Sequence, residues 1–286
     1  MTPDADLLRR CAEAIREADG LLVTAGAGMG VDSGLPDFRG PQGFWRAYPA
    51  LGRARIAFET IASPAAFEAD PRLAWGFYGH RLALYRGTEP HEGFAILQHI
   101  GDSMPKGAFV LTSNVDGQFT KAGYLGERVC EIHGSIHHLQ CLRRCSDQIW
   151  SATDFAPEID EEDCLLRSPL PACPSCKGLA RPNILMFGDW DWIDSRQQAQ
   201  YSALQTWLKT VTRPVTVEIG AGTAIPSVRH FGEAARGVLI RINPTESGVP
   251  DGKGYGLRTG GLEGLRRLRE ALSERPRSRQ TDVTTS

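Results

Sequence analysis

Leu21-Leu22-Val23-Thr24-Ala25-Gly26-Ala27-Gly28-Met29-Gly30 decides the architecture of this 286-residue chain. Leu21 to Val23 are a short apolar run, the mark of a strand buried on both faces, and they lead directly into a glycine-rich turn. Backbone N–H groups in such a turn can meet phosphates. Upstream, residues 2 to 20 read as a helix: Thr2 caps it, Pro3 suits its first turn, Leu7, Leu8, Cys11 and Ile15 share a face, and Gly20 stops it. Downstream, more buried strands are predicted at Phe109 to Leu111, Arg128 to Ile132, Val215 to Ile219 and Val238 to Ile242. Helices are predicted around Ala65 to Tyr85, Glu92 to Ile100, Ser195 to Val211 and Gly261 to Leu272. Strands alternating with helices predict an α/β fold with a Rossmann-like, doubly wound parallel sheet.

Composition narrows the function. Thirty-two basic against 34 acidic side chains leave a net charge of −2, which supplies no electrostatic reason to expect nucleic acid as the partner. The first 20 residues lack a secretory apolar core and no segment reaches membrane-spanning length, so a cytoplasmic protein without a membrane partner is expected. In that compartment the seven cysteines favour thiols or metal ligation over disulfides. Cys141 and Cys145 stand three residues apart, Cys173 and Cys176 two, with 27 residues between the pairs. This spacing predicts a closed four-thiolate site for one structural Zn2+, with Cys164 as a substitute ligand. Cys11 and Cys130 fit apolar faces, where a thiol is a small hydrophobe. The irregular stretch from about 137 to 185 that holds the pairs is expected to be a small inserted module, and the apolar-poor residues 273–286 a flexible tail.

The motif after the first strand runs on as Val31-Asp32-Ser33-Gly34-Leu35-Pro36-Asp37-Phe38-Arg39-Gly40. A glycine loop alone can be a tight turn. With Pro-Asp-Phe-Arg attached it resembles the first cofactor motif of the sirtuin family, NAD-dependent protein deacylases with a bacterial-type catalytic core. Thr112-Ser113-Asn114-Val115-Asp116 resembles the family's Thr-Gln-Asn-Ile-Asp element, although Asn114 and Asp116 would serve equally as helix caps. Glu131-Ile132-His133-Gly134 resembles the strand that ends in the general base, His133 being preferred to His137 and His138. Arg181 to Asp189 resembles the edge on which acyl-lysine peptides add as a strand, and Gly220 to Pro226 and Ile242-Asn243 resemble the adenosine end. The resemblance spans about residues 7 to 270. Departures are Gly30 for serine, Ser113 for glutamine, and Trp190-Asp191-Trp192 for Leu-Pro.

The resemblance implies a catalytic domain over 1–272: a Rossmann-like lobe from about 1–45, 95–136 and 195–272, a helical insertion over about 46–94, and a zinc module over about 137–190. It implies NAD, consumed as co-substrate, held by Gly26, Ala27, Gly28, Asp37, Phe38, Arg39, Ser113, Asn114, Asp116, Gly220, Gly222, Thr223 and Asn243. His133 and Asn114 would be catalytic. His133 would activate a ribose hydroxyl after nicotinamide has left and the acyl oxygen has attacked the sugar, and Asp116 would accept from the carboxamide. Acylated proteins would be the partners, bound along Met186, Phe187 and Gly188. Trp75 to Arg81 resembles the Phe-Tyr-x-x-Arg element of family members that accept malonyl or succinyl lysine, with Tyr78 and Arg81 sharing a helix face to grip a carboxylate. The competing reading has Trp75 and Tyr78 packed inward and Arg81 in solvent. Alternatives to deacylation are ADP-ribosyl transfer, hydrolysis of NAD, and a non-enzymatic NAD-sensing module.

Overall fold

A computed structural model describes residues 3–36 and 40–274. In chain order the strands are β1 (Gly20–Ala25), β2 (Ala108–Thr112), β3 (Val129–Glu131), β4 (Gly134–Cys141), β5 (Ile149–Ser151), β6 (Ile159–Asp160), β7 (Leu165–Leu166), β8 (Ala180–Ile184), β9 (Pro214–Ile219), β10 (Val238–Ile242) and β11 (Gly254–Leu257). The helices are α1 (Pro3–Glu17), α2 (Gly40–Ala47), α3 (Pro49–Arg53), α4 (Phe58–Ile61), α5 (Pro64–Ala69), α6 (Pro71–Gly87), α7 (Glu92–Asp102), α8 (Gln118–Lys121), α9 (Ser195–Thr210), α10 (Ser227–Ala234) and α11 (Gly261–Ser273).

Six strands form one parallel sheet in the order β11-β10-β9-β1-β2-β3. Alternation along β1 explains its two covered faces. Leu21, Val23 and Ala25 pack with α1, α7 and α11 residues such as Ile15, Leu97 and Leu265, whereas Leu22 packs with Phe109, Leu204 and Trp207 on the other side. The chain reverses direction of strand order between β1 and β9, the crevice where open α/β sheets bind ligands. Register aligns the strand ends: Ala25 pairs with Thr112 and Ile219, Thr112 with Glu131, and Ile219 with Ile242. Five loops therefore leave the sheet at one level.

A second core joins the helices α2 to α6 to the cysteine-bearing segment. Phe44, Phe67, Trp75, Phe77 and Tyr78 are buried with Ile136, Leu139, Leu166, Ile184 and Met186. Trp75 Nε1 donates to Ala180 O at 2.9 Å, tying α6 to β8.

Several expectations change. α1 ends at Glu17, so Gly20 does not stop it. Gly20 opens β1, where a Cβ would lie 2.9 Å from both Val211 methyls. The helix predicted over Ala65 to Tyr85 is two helices, because Asp70 accepts from the N–H groups of Arg72 and Leu73 and Pro71 opens a new first turn. The stretch from 137 is less irregular than expected: β4 pairs antiparallel with β5 and β8, with a bulge between Ser135 and Leu139. Thr2 and residues 275–286 lie outside the described residues.

Candidate active site

The glycine loop meets its neighbour at the switch point. Gly26 N donates to Ile219 O at 3.0 Å and Gly28 N to Gly220 O at 3.1 Å. A Cβ on Gly28 would stand 2.6 Å from Gly220 Cα, so the two loops approach as closely as only glycine permits. Gly220, with φ of +63°, adds a left-handed turn. Ala27 and Gly222 are exposed at this mouth. Asp37, Phe38 and Arg39, expected beside NAD, lie outside the described residues.

The loop after β2 is stitched to the same place. Ser113 N donates to Ala25 O at 3.1 Å, and Asn114 Nδ2 donates to Gly26 O at 3.0 Å. Thr112 Oγ1 receives Asn114 N at 3.0 Å and itself donates to Ala25 O at 2.9 Å. Two residues on, the buried Asp116 carboxylate accepts from Gln118 N at 2.9 Å. Burial pushes that carboxyl up to about 6, against the pull of the Gln118 N–H and with help from the nearby charge of Glu131.

His133 follows β3, and its carbonyl receives Leu185 N at 2.9 Å. Burial holds its imidazole below the usual range, partly offset by a hydrogen bond with the Ser113 backbone, so the ring is neutral near pH 7 and able to take a proton. Its neighbours differ. His137 donates through Nε2 to Asp116 O at 2.9 Å. His138 is driven down to about 4 by burial and by Arg196, and its Nδ1 is buried without a partner. Of the three, His133 is the one that directly follows a strand of the parallel sheet.

At the other side of the switch point, Asn243 is buried and braces the loops: Nδ2 donates to Ala221 O at 3.1 Å, and Oδ1 accepts from Glu246 N at 2.8 Å. Glu246, which sequence reasoning missed, accepts from Thr223 N at 3.1 Å and Thr223 Oγ1 at 2.7 Å. Its signal was its place three residues after Asn243, in a turn the asparagine side chain builds.

Arg181 to Asp189 forms an edge beside His133. Met186 is buried, Phe187 is half out in solvent, and Gly188 has φ of +65°. Asp189 accepts from Arg181 Nη2 at 2.8 Å with both side chains fully buried, and Phe187 N donates to Ala62 O at 2.9 Å.

On α6, Tyr78 and Arg81 are both buried, so the reading that leaves Arg81 in solvent does not hold. Arg81 Nε and Nη2 donate to Tyr85 Oη at 2.9 and 2.7 Å, while Tyr78 stacks on Phe67 with centroids 5.5 Å apart. Tyr85 is the hydroxyl partner. Its spacing of four from Arg81 was a readable signal.

Cys141, Cys145, Cys173 and Cys176 bring their sulfurs within 4.8 Å of one another. The contacts Cys141–Cys176 and Cys145–Cys173 are 3.6 Å. Metal–thiolate bonds of about 2.3 Å in a tetrahedron put sulfurs about 3.8 Å apart, so the four fit a metal ion. Burial works against ionisation at Cys173, but the N–H groups of Cys176 and Ser175 help draw its thiol down to about 7. Cys164 is no substitute ligand: it is buried in the second core, away from the cluster, and its carbonyl lies where a Cβ on Gly76 would come within 1.8 Å. Cys11 and Cys130 are pushed up to about 12 by burial and stay thiols.

A groove of about 760 Å³ between α1, α7 and α11 contains none of these residues. Among the described residues, no helix is long and apolar enough to cross a membrane.

A strand-end site at the switch point of a parallel sheet, with a four-cysteine module beside it, defines an α/β protein of the nucleotide-binding kind with a second lobe whose four sulfurs could hold a metal ion. The Sir2 family profile matches residues 26–213, and the chain belongs to that family. It is 31% identical over 237 residues to an NAD-dependent protein deacylase of Thermococcus sibiricus, covering 80% of this chain and 82% of the relative. It is 29% identical over 266 residues to NAD-dependent protein deacylase 1 of Archaeoglobus fulgidus, covering 91% of this chain and 97% of the relative. The crystal structure of a Sir2 homologue with NAD superposes with a TM-score of 0.67 at 26% identity, over 95% of this chain and 96% of that one.

Proposed function

We propose that this chain is an NAD-dependent protein lysine deacylase that releases nicotinamide and an O-acyl-ADP-ribose. One observation carries the reading: register brings Gly26, Asn114, His133, Gly220 and Asn243 out of five adjacent strand ends at a single level. NAD fits these residues, because two glycine loops meet at the switch point with Ala27 and Gly222 exposed at its mouth, and Asp116 offers a buried acceptor for an amide. When bound, NAD supplies an anomeric carbon with nicotinamide as its leaving group. Asp116 holds the carboxamide. Asn114, fixed to Gly26 O, orients the ribose. With the acyl oxygen in place of nicotinamide on the anomeric carbon, His133, neutral at working pH, would take the proton of a ribose hydroxyl so that its oxygen bonds to the acyl carbon; water would then add, the acyl carbon–nitrogen bond would break, and lysine would leave as the free amine with the acyl group on the ribose.

The substrate protein adds its backbone along Met186 to Gly188, and the four cysteines hold one structural zinc that keeps this edge in place. Arg81 and Tyr78 on one face of α6, with Tyr85 as a further hydroxyl on Arg81, favour acyl chains that end in a carboxylate, because a buried guanidinium beside phenols can hold an anion.

The test is mass spectrometry of products after incubation with NAD and matched acetyl-, malonyl- and succinyl-lysine peptides. Free lysine with O-acyl-ADP-ribose supports deacylation, and loss of a malonyl or succinyl preference in Arg81→Met supports the anion site. Nicotinamide release with ADP-ribose on protein, or with free ADP-ribose alone, would replace deacylation by transfer or hydrolysis.

A further inference from the structure

Trp190 is 92% exposed, and Leu185 and Phe187 are 40% and 39% exposed. Three of the seven large apolar side chains exposed among the described residues thus fall within six consecutive positions. Isolated exposed apolar residues need no explanation, but a contiguous set does. The set also ends on a turn that is unusually well fastened. Asp189 is locked to Arg181 with both side chains fully buried, and Asp191 N donates to Asp189 Oδ1 at 3.2 Å. Fully buried Gln140 clamps the far side: Nε2 donates to Asp191 O at 2.9 Å, and Oε1 receives Ile193 N at 3.0 Å and Asn183 Nδ2 at 2.9 Å. The backbone on both sides of Trp190 is fixed while its indole stands in water. Such pre-organisation costs a binding partner little ordering entropy.

The charge around the indole selects the partner. Asp191 is exposed next to it and makes no ion pair among the described residues. The local basic residue Arg181 is already neutralised by Asp189. An exposed aromatic face with an unpaired carboxylate next to it in the chain recognises a cation.

We infer that Trp190 and Asp191 form a subsite that reads a lysine or arginine flanking the acylated lysine of the protein substrate. The inference rests on the reading of Met186 to Gly188 as the substrate edge. Trp190 lies two residues beyond Gly188, at most about 7 Å of chain, which is the span of about two residues of an extended peptide. The basic residue therefore sits one to three positions from the acyl-lysine.

The experiment scans arginine, norleucine and glutamate through each of those positions in a matched acyl-lysine peptide, with the wild type, Trp190→Ala, Trp190→Phe and Asp191→Asn. Kd is read by fluorescence anisotropy, which needs no turnover, and kcat and KM are read in parallel. At one position the wild type should prefer arginine over norleucine by about three- to tenfold, through Kd and KM rather than kcat. Trp190→Ala should bring that ratio to about one, and Trp190→Phe should retain part of it. Asp191→Asn should chiefly weaken discrimination against glutamate. A ratio of about one at every position in the wild type, a norleucine preference, or an arginine preference that survives in Trp190→Ala would each overturn the subsite. Binding without deacylation, with the arginine preference intact, would refute the enzymatic reading and leave the subsite standing.

Discussion

The strand-end shelf and the second lobe are built on different physics. In the sheet, Leu21, Leu22, Val23, Val110 and Val217 are essentially fully buried, and burial of apolar area at about 25 cal/mol per Å² holds the shelf level without any special residue. The second lobe has aromatic packing too, but its substrate edge hangs on point constraints: four thiolates, the buried Arg181–Asp189 pair, and Gln140. A distributed core tolerates the loss of one part. A lobe fastened at points does not, and the proposed site would draw its catalytic residues from the first region and its substrate edge from the second.

The largest expected effect is removal of the metal. Purified protein should carry about one zinc per chain, and a structural zinc contributes apparent binding energy on the order of 10 kcal/mol. Chelation, or Cys173→Ser, should abolish hydrogen-exchange protection in β4 and β8 while amides of β1, β2 and β9 stay protected. Equal loss in both regions would mean that the two are one cooperative unit.

Next is Arg181→Met, which leaves Asp189 buried without its partner. It should cost about 3–5 kcal/mol in urea unfolding, with the edge at Met186 to Gly188 opening first. A change below about 1 kcal/mol would show that the pair is not a fastening point.

The smallest effect lies in the shelf and has the opposite sign. Asp116 holds its proton up to about 6 against 3.8 for an ordinary aspartate, so between those values the folded chain binds more protons than the unfolded one. Its contribution to stability falls as pH rises through that window and stays low above it. Asp116→Asn should therefore stabilise the fold at pH 7.5, by up to about 3 kcal/mol, with the gain vanishing near pH 4, while NAD turnover drops. Chemical denaturation at the two pH values checks this. A variant less stable at pH 7.5 would refute the assigned cost of burying the carboxylate.

The same contrast explains what could be read in advance. β1 was legible because a strand covered on both faces needs apolar residues without interruption, and Leu21 to Val23 supply them. The positions of the glycine loop, Asn114, Asp116 and His133 at strand ends were legible because each follows directly on such a run. β4 was not, since Gly134-Ser135-Ile136-His137-His138-Leu139-Gln140 has a bulge and buries polar side chains against partners distant in sequence. The hydroxyl contact of Arg81 with Tyr85 was not singled out because three- and four-residue spacings both share a helix face, and packing decides which phenol meets the guanidinium. The break at Asp70-Pro71 carried a cap signal that apolar periodicity overrode.

The most direct test of the account is His133→Ala, assayed in parallel for NAD binding, exchange of labelled nicotinamide and release of free lysine. Because His133 is assigned to the step after nicotinamide departs, the variant should bind NAD and exchange nicotinamide while lysine release falls by about 10²- to 10⁴-fold. Lysine release close to wild type, or equal loss of exchange and release, would contradict His133 as the base that completes deacylation.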